Sequence, residues 1–444
     1  MWWRLLKRLL PRKWSVYRAT AYLFAAELFV LWAFSPDLLR PINPFGRTCA
    51  DLHRDARDAI ARRAADDQLA AMARARPTFL PPWDEHGQPR RLRVLFLADG
   101  AGAAPFEFQY AAALRHPHVA AEWWRWGAPG YDRQRTLREN LVRRYGGVHF
   151  DVIYHAAAGA SRVLAELKAI ADAGEAVVAI HTAGACAGGR CQRLMADSGA
   201  HVVLMSHMVD MPRFRNETAG RVIVHAPHAA DPSVFYAAGS LAYRQGALLL
   251  VAPGRGGTYP LRERWARLIA DGRLPGASIY EIGDDGRADG EDELGAQAAR
   301  RRRIARYAEA LQGAKVVLLD SSTAGYAFPE LAEAVMAGCL VISDLPHERP
   351  DLFSEAVVTV GPDTPDDDLV HLVDYWLSLD HNQDRAARVR LAQSPVLAEL
   401  TWDRTIDRLI DGVNAYTAGD FGMRFSGPVL FSTSADPRHA PTSE

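Results

Sequence analysis

Phe328-Pro329-Glu330-Leu331-Ala332-Glu333-Ala334-Val335-Met336-Ala337-Gly338-Cys339-Leu340-Val341-Ile342-Ser343-Asp344 is the stretch on which the fold turns. Leu331, Ala334, Val335 and Gly338 recur at helical spacing, and a β-branched run follows at once. Upstream, Val316 to Leu319 has strand length and composition, so Lys315 to Val360 predicts a β-α-β unit. The loop between, Asp320-Ser321-Ser322-Thr323-Ala324-Gly325, offers hydroxyls and free backbone N–H groups at a helix N-terminus. Phosphate is well held in such a place, and a nucleoside diphosphate fits it.

Working outward, short apolar runs alternate with helical stretches. Strands are expected at Leu92 to Ala98, Val148 to Tyr154, Ala176 to Ile180, Val202 to Met205, Val222 to Val224, Ala247 to Val251, Ser278 to Ile282 and Val357 to Val360. Helices are expected at Phe106 to Leu114, Ser161 to Ala173, Arg306 to Gln312, Leu369 to Leu379 and Thr401 to Tyr416. The alternation predicts parallel sheets with helices on both faces, an α/β chain. Asp99-Gly100-Ala101-Gly102 after the first strand is Rossmann-like punctuation without the full dinucleotide fingerprint.

Glu333 stands five residues before Gly338, on a helix that precedes an apolar strand. This resembles the C-terminal domain of the CgeB-like and group 1 glycosyltransferases of GT-B type. The resemblance implies two Rossmann-like, doubly wound domains facing a cleft. It implies transfer of a sugar (a hexosyl or related transferase, EC 2.4) from a nucleotide diphosphate donor to a hydroxyl on a glycan, protein or lipid, with no cofactor and no metal. Glu333 is then implied to take the ribose hydroxyls, beside the donor loop Ser321, Ser322 and Thr323. Arg255, in a Gly-rich turn, and Arg262, after Tyr259-Pro260, resemble the basic residues that face the diphosphate, where a guanidinium stabilises the charge of the leaving group. Asp231 and Phe235 resemble the hinge between the domains. Many members carry another Glu eight residues before the first; here that position is Gly325, and Glu330 lies at a different offset.

No catalytic base is implied. Asp99, His155, His181 and Asp210 follow predicted strands, where cleft residues collect, and each also reads as a satisfied core group. Two other readings stay open: a GT-B-shaped binding protein without catalysis, and a two-lobed small-molecule binding protein.

The chain has 444 residues, 49% hydrophobic and 24% charged, with a net charge of −1, enough for two core-bearing domains and no basis for nucleic-acid binding. Arg300 to Arg303 reads as a solvated helix face. Residues 1–35 join a basic flank (Arg4, Lys7, Arg8, Arg12, Lys13, Arg18) to an apolar run from Ala19 to Phe34 interrupted by Thr20 and Glu27. That pattern predicts a membrane signal anchor, single-pass type II, with the globule facing the ER or Golgi lumen if the source is eukaryotic. An interfacial helix, a cleaved leader and a soluble core helix are the alternatives. A solvated stem and Pro-punctuated linker follow at 36–90, then an N-terminal acceptor domain at 91–235, a nucleotide-sugar domain at 236–400, a terminal helix at 401–418 and a loose tail at 419–444. His181 to Cys191 matches no zinc spacing; in a lumen, a Cys186–Cys191 disulfide and the sequon Asn216-Glu217-Thr218 would be consistent.

Overall fold

The computed structural model describes residues 91–98, 103–125, 131–132, 134–146, 148–156, 161–182, 186, 189–238, 244, 246–251, 258–281 and 293–427. The expected anchor and stem, Asp99 and Arg255 lie outside the described residues. No helix among the described residues is long and apolar enough to cross a membrane.

The first lobe alternates β1 (Leu92–Ala98), α1 (Ala103–Arg115), β2 (Val119–Arg125), α2 (Leu137–Tyr145), β3 (Val152–Ala156), α3 (Ser161–Asp172), β4 (Val177–Thr182), α4 (Arg190–Ser198), β5 (Val202–Met205) and β6 (Val222–His225), with a 3-10 helix at Met208–Thr218. The second runs β7 (Ala247–Val251), α5 (Pro260–Ala270), β8 (Ala277–Glu281), α6 (Glu293–Gly313), β9 (Val316–Leu318), α7 (Pro329–Met336), β10 (Leu340–Ser343), α8 (Pro350–Phe353), β11 (Val357–Thr359), α9 (Asp366–Leu377) and α10 (Asn382–Glu399). The chain then returns to the first lobe as α11 (Trp402–Thr417) and β12 (Gly422–Arg424).

Both sheets are parallel. Their strand orders are β12-β6-β5-β4-β3-β1-β2 and β11-β10-β9-β7-β8. Strands covered on both faces need apolar side chains at every position rather than alternate ones, which is why Val94, Leu95, Phe96 and Leu97 are all buried. Odd and even positions of each strand divide between two cores. In the first lobe Leu95, Ile153, Val178 and Val203 face α3 and α4, and Val94, Val152, Val202 and Val224 face Trp402, Ile406, Leu409 and Val413 of α11. The helix lies so close to the sheet that a Cβ on Gly412 would come 2.7 Å from Val202 Cγ1.

The strand β2 was not anticipated. Its sequence Val119-Ala120-Ala121-Glu122-Trp123-Trp124 does not alternate, and only Val119 and Trp124 are buried, because it is the sheet's edge, paired only to β1. The loose tail expected from Gly419 onward is corrected in part: Gly422–Arg424 pairs in parallel with Val222–Val224, and Met423 packs against the first-lobe core. Three residues are too few for a sequence period to reveal them.

Candidate functional site at the carboxyl edges of the two sheets

The loop after β9 is organised by three acidic side chains. Asp320 accepts from the N–H groups of Leu261 (2.6 Å) and Arg262 (3.2 Å), capping the start of α5, and from Ser322 N–H (2.5 Å). Burial, and Asp344 nearby, raise the Asp320 pKa above the usual carboxylate value. Asp344 accepts from the N–H (2.7 Å) and hydroxyl of Ser321. Glu348 accepts from Ala327 N–H at 2.9 Å. Thr323 N–H donates to Thr258 O, Ala324 N–H to Ser322 Oγ, Gly325 N–H to Ser322 O and Tyr326 N–H to Ser321 O. Every backbone N–H from Ser321 to Ala327 is therefore engaged within the protein. The expectation of free N–H groups for a phosphate is corrected, because distant carboxylates that local sequence does not reveal already occupy them.

Ser321 and Ser322 are buried and Thr323 is exposed. Ser322 has φ 64° and Gly325 φ 69°. The left-handed conformation is cheap only for the glycine, so Ser322 holds local strain. A Cβ at position 325 would lie 2.5 Å from Nδ1 of His347, whose N–H donates to Gly325 O at 2.9 Å. No acidic side chain fits at position 325.

Arg262 is 5% exposed, its guanidinium 4.7 Å from the Tyr259 ring centroid and 5.8 Å from that of Phe328. One nitrogen is 4.0 Å from Glu330 Oε1, while Arg262 Nε and Glu330 Oε2 have no hydrogen-bond partner among the described residues. Glu333, one turn along α7 from Glu330, accepts from Tyr307 O–H at 2.9 Å. Burial, and next the Glu330 charge, raise its pKa to about 8 despite that hydrogen bond. Arg262, Glu330, Glu333 and Tyr307 thus form one polar row between α5, α6 and α7. Sequence reasoning set Glu330 aside by its offset; its i, i+3 spacing to Glu333 was the available signal.

The lobes meet through Glu348, about 2% exposed, which lies 3.0 Å from His207 Nδ1 and also accepts from Met208 N–H. The His207 ring stacks on Tyr326 at 3.9 Å. Tyr326 donates to Asp210 Oδ2 at 3.0 Å, the oxygen that also accepts from Cys186 N–H, and Arg213 pairs with Oδ1. A cavity of about 10 Å³ between His225, His228, Phe328 and Glu348 has room for roughly one water. The described conformation is closed.

His155 is fully buried with Nδ1 2.7 Å from Leu97 O. His181 is 2% exposed, with one ring nitrogen near Gln109 and Tyr154 and the other 3.0 Å from Ser206 Oγ; burial lowers its pKa to about 4. Of the candidate bases, Asp210 is brought to the lobe interface, whereas His155 and His181 serve as hydrogen-bonding groups of the first-lobe interior. Asp231 closes a turn by accepting from Ser233 N–H and O–H, and Phe235 sits in the second-lobe core, 5.7 Å from the Tyr307 ring. Cys186 and Cys191 form a disulfide with Cα atoms 5.2 Å apart. Among the described residues no His, Cys, Asp or Glu cluster is arranged to hold a metal ion.

Residues 262–411 match the family model described as Glycosyl transferase-like. No curated protein matches the chain. Among solved structures, it is similar to a glycosyltransferase from Rickettsia africae, at 10% identity over 73% of this chain and 98% of that one, with a TM-score of 0.50. It is also similar to HepE of Anabaena in complex with UDP and glucose, at 13% identity over 73% and 100% of the two chains, with a TM-score of 0.48. The N-terminal domain of Candida albicans trehalose-6-phosphate phosphatase is similar at 11% identity over 73% and 97%, with a TM-score of 0.47. At these identities the likeness is one of fold, and that fold is a two-domain, Rossmann-like α/β architecture.

Proposed function

We propose that this chain is a GT-B glycosyltransferase that moves a sugar from a nucleotide diphosphate to a hydroxyl acceptor. The observation that carries the reading is the row Arg262, Glu330, Glu333, Tyr307 at the carboxyl edge of the second sheet, inside the segment that matches the glycosyl transferase-like model. Ligands of open parallel sheets bind at that edge. A buried guanidinium with an unpartnered N–H favours an anion, and Glu333, further along the row, is held neutral by burial and adds no repulsion. In the reaction the bond from the sugar's anomeric carbon to phosphate oxygen breaks, a bond to the acceptor oxygen forms, and the hydroxyl proton passes to a base. Asp210 is our candidate for that base once opening of the lobes releases it from Tyr326. Arg262 takes the role of countering leaving-group charge, and a bound metal is not part of the proposal.

The CgeB-like subtype, an acceptor on glycan, protein or lipid, and type II anchoring through residues 1–35 belong to the same proposal. The Cys186–Cys191 disulfide supports a globule in an oxidising compartment. Thiol-specific labelling of the protein taken from cells should find Cys186 and Cys191 blocked; free thiols there would remove this support.

Calorimetry with UDP, ADP and GDP and their sugars tests the donor site. Arg262→Lys and Glu333→Ala are each expected to weaken binding by ~1–3 kcal/mol, the loss of a charged or buried hydrogen bond. A folded chain that binds none of these nucleotides would sink the donor assignment. A binding protein without catalysis is the second reading, favoured by the blocked position at Gly325; turnover of the bound donor separates the two.

A further inference from the structure

We propose that His347 is a diphosphate-binding residue of the donor site, an inference that rests on the donor reading above. From Ser321 to Ala327 every backbone N–H donates within the protein, so this loop does not cradle an anion with its main chain as described. Arg262, between the Tyr259 and Phe328 rings, has one nitrogen unpartnered among the described residues, its Nε, and Arg349, also buried, is committed to Asp351, so Arg262 alone leaves most acceptor oxygens of a diphosphate unmet. A diphosphate at this edge carries several acceptor oxygens and needs donors that remain open.

His347 meets that need. It lies on the segment after β10, next to the interlobe residue Glu348, and is exposed. No ring hydrogen bond joins it to the described residues, while its ring lies against the backbone of Gly325, where a Cβ would come 2.5 Å from Nδ1 and 2.6 Å from Cγ. Its backbone N–H fixes the segment to Gly325 O at 2.9 Å. The glycine has two physical reasons to be there: φ of 69° and the volume of the imidazole. The loop therefore gives up a side chain at position 325 and receives an imidazole from the neighbouring segment. Thr323, two residues before Gly325, is exposed on the same loop. An imidazole held by shape, with its nitrogens unspent, is a hydrogen-bond donor prepared for phosphate oxygen.

The test titrates the full chain, and His347→Ala, His347→Gln and Gly325→Ala, with UDP, UMP, uridine and inorganic pyrophosphate, and with the ADP and GDP series in parallel. Far-UV circular dichroism and thermal unfolding establish that each variant is folded. We expect His347→Ala to weaken the diphosphates by roughly tenfold or more, leave the nucleosides unchanged and abolish competition by pyrophosphate. Gly325→Ala should reproduce the same phosphate-dependent loss by displacing the ring, and His347→Gln, which keeps a donor, should recover part of it. Diphosphate binding equal to that of the parent in His347→Ala would overturn the role of His347 and leave the donor site standing. Failure of the parent chain to bind any diphosphate would remove the donor reading itself, and His347 with it.

Discussion

Glu333 carries the most informative charge at the residue scale. In the folded chain its carboxyl keeps a proton up to about pH 8, against an ordinary value of 4.5. Across that window the folded state binds more protons than the unfolded state, so stability declines as pH rises. Glu333→Gln keeps the shape and cannot ionise, and its thermal unfolding midpoint should fall less steeply than the parent's between about pH 5 and pH 8. Equal slopes would mean that the carboxyl is not held neutral. Asp210 gives a second residue-scale prediction: Asp210→Asn should leave nucleotide affinity within about twofold and reduce sugar transfer by ~100-fold or more, as expected on loss of a general base. Undiminished transfer would move the base elsewhere, with Asp99 as the next candidate. Of the residues discussed at this scale, Glu333 and Arg262 were singled out by the resemblance to the CgeB-like and group 1 glycosyltransferases and Asp210 by its place after a predicted strand. Glu330, Glu348, Tyr326 and His347 were not, because their roles arise from contacts between segments far apart in sequence.

Elements were more legible than their partners. The unit from β9 through β11 follows the expected strand-helix-strand order, since apolar runs and helical spacing are local properties. What local patterns hide is closeness of packing. Gly412, mid-way along α11, would ordinarily gain ~1 kcal/mol of helix stability on replacement by Ala. Here the added methyl meets Val202 Cγ1 at 2.7 Å and Val224 Cγ2 at 3.0 Å. Gly412→Ala is therefore expected to destabilise by about 1–3 kcal/mol, the usual consequence of overpacking. Denaturant unfolding decides the sign, and a more stable variant would show that α11 can ride away from the sheet. The edge strands β2 and β12 mark the other limit: one lacks an alternating pattern and the other is three residues long, so neither produces a clear period.

At the scale of the whole molecule, the closed arrangement depends on a few polar contacts. Removing the Glu348 side chain leaves the N–H groups of Met208 and Ala327 without their acceptor and deprives His207 of its partner. Breaking such a buried cluster costs about 3 kcal/mol. Glu348→Ala combined with Tyr326→Phe should enlarge the radius of gyration measured by small-angle scattering while both sheets stay folded. An unchanged radius would place the hold between the lobes in other contacts.

The return of α11 and β12 to the first lobe has a consequence for how the chain is made. During synthesis the ribosome delivers β1 to β6 first, yet the helix that covers one face of their sheet and the strand that closes its β6 edge emerge only after the second lobe. The second lobe, by contrast, receives all five of its strands from one continuous segment. Until the second lobe has been translated, the nascent first lobe exposes Val202, Val222 and Val224 on an uncovered sheet face, a surface prone to misassociation. The half that begins first is therefore the half that matures last, and its window of vulnerability lasts as long as the other half takes to be translated.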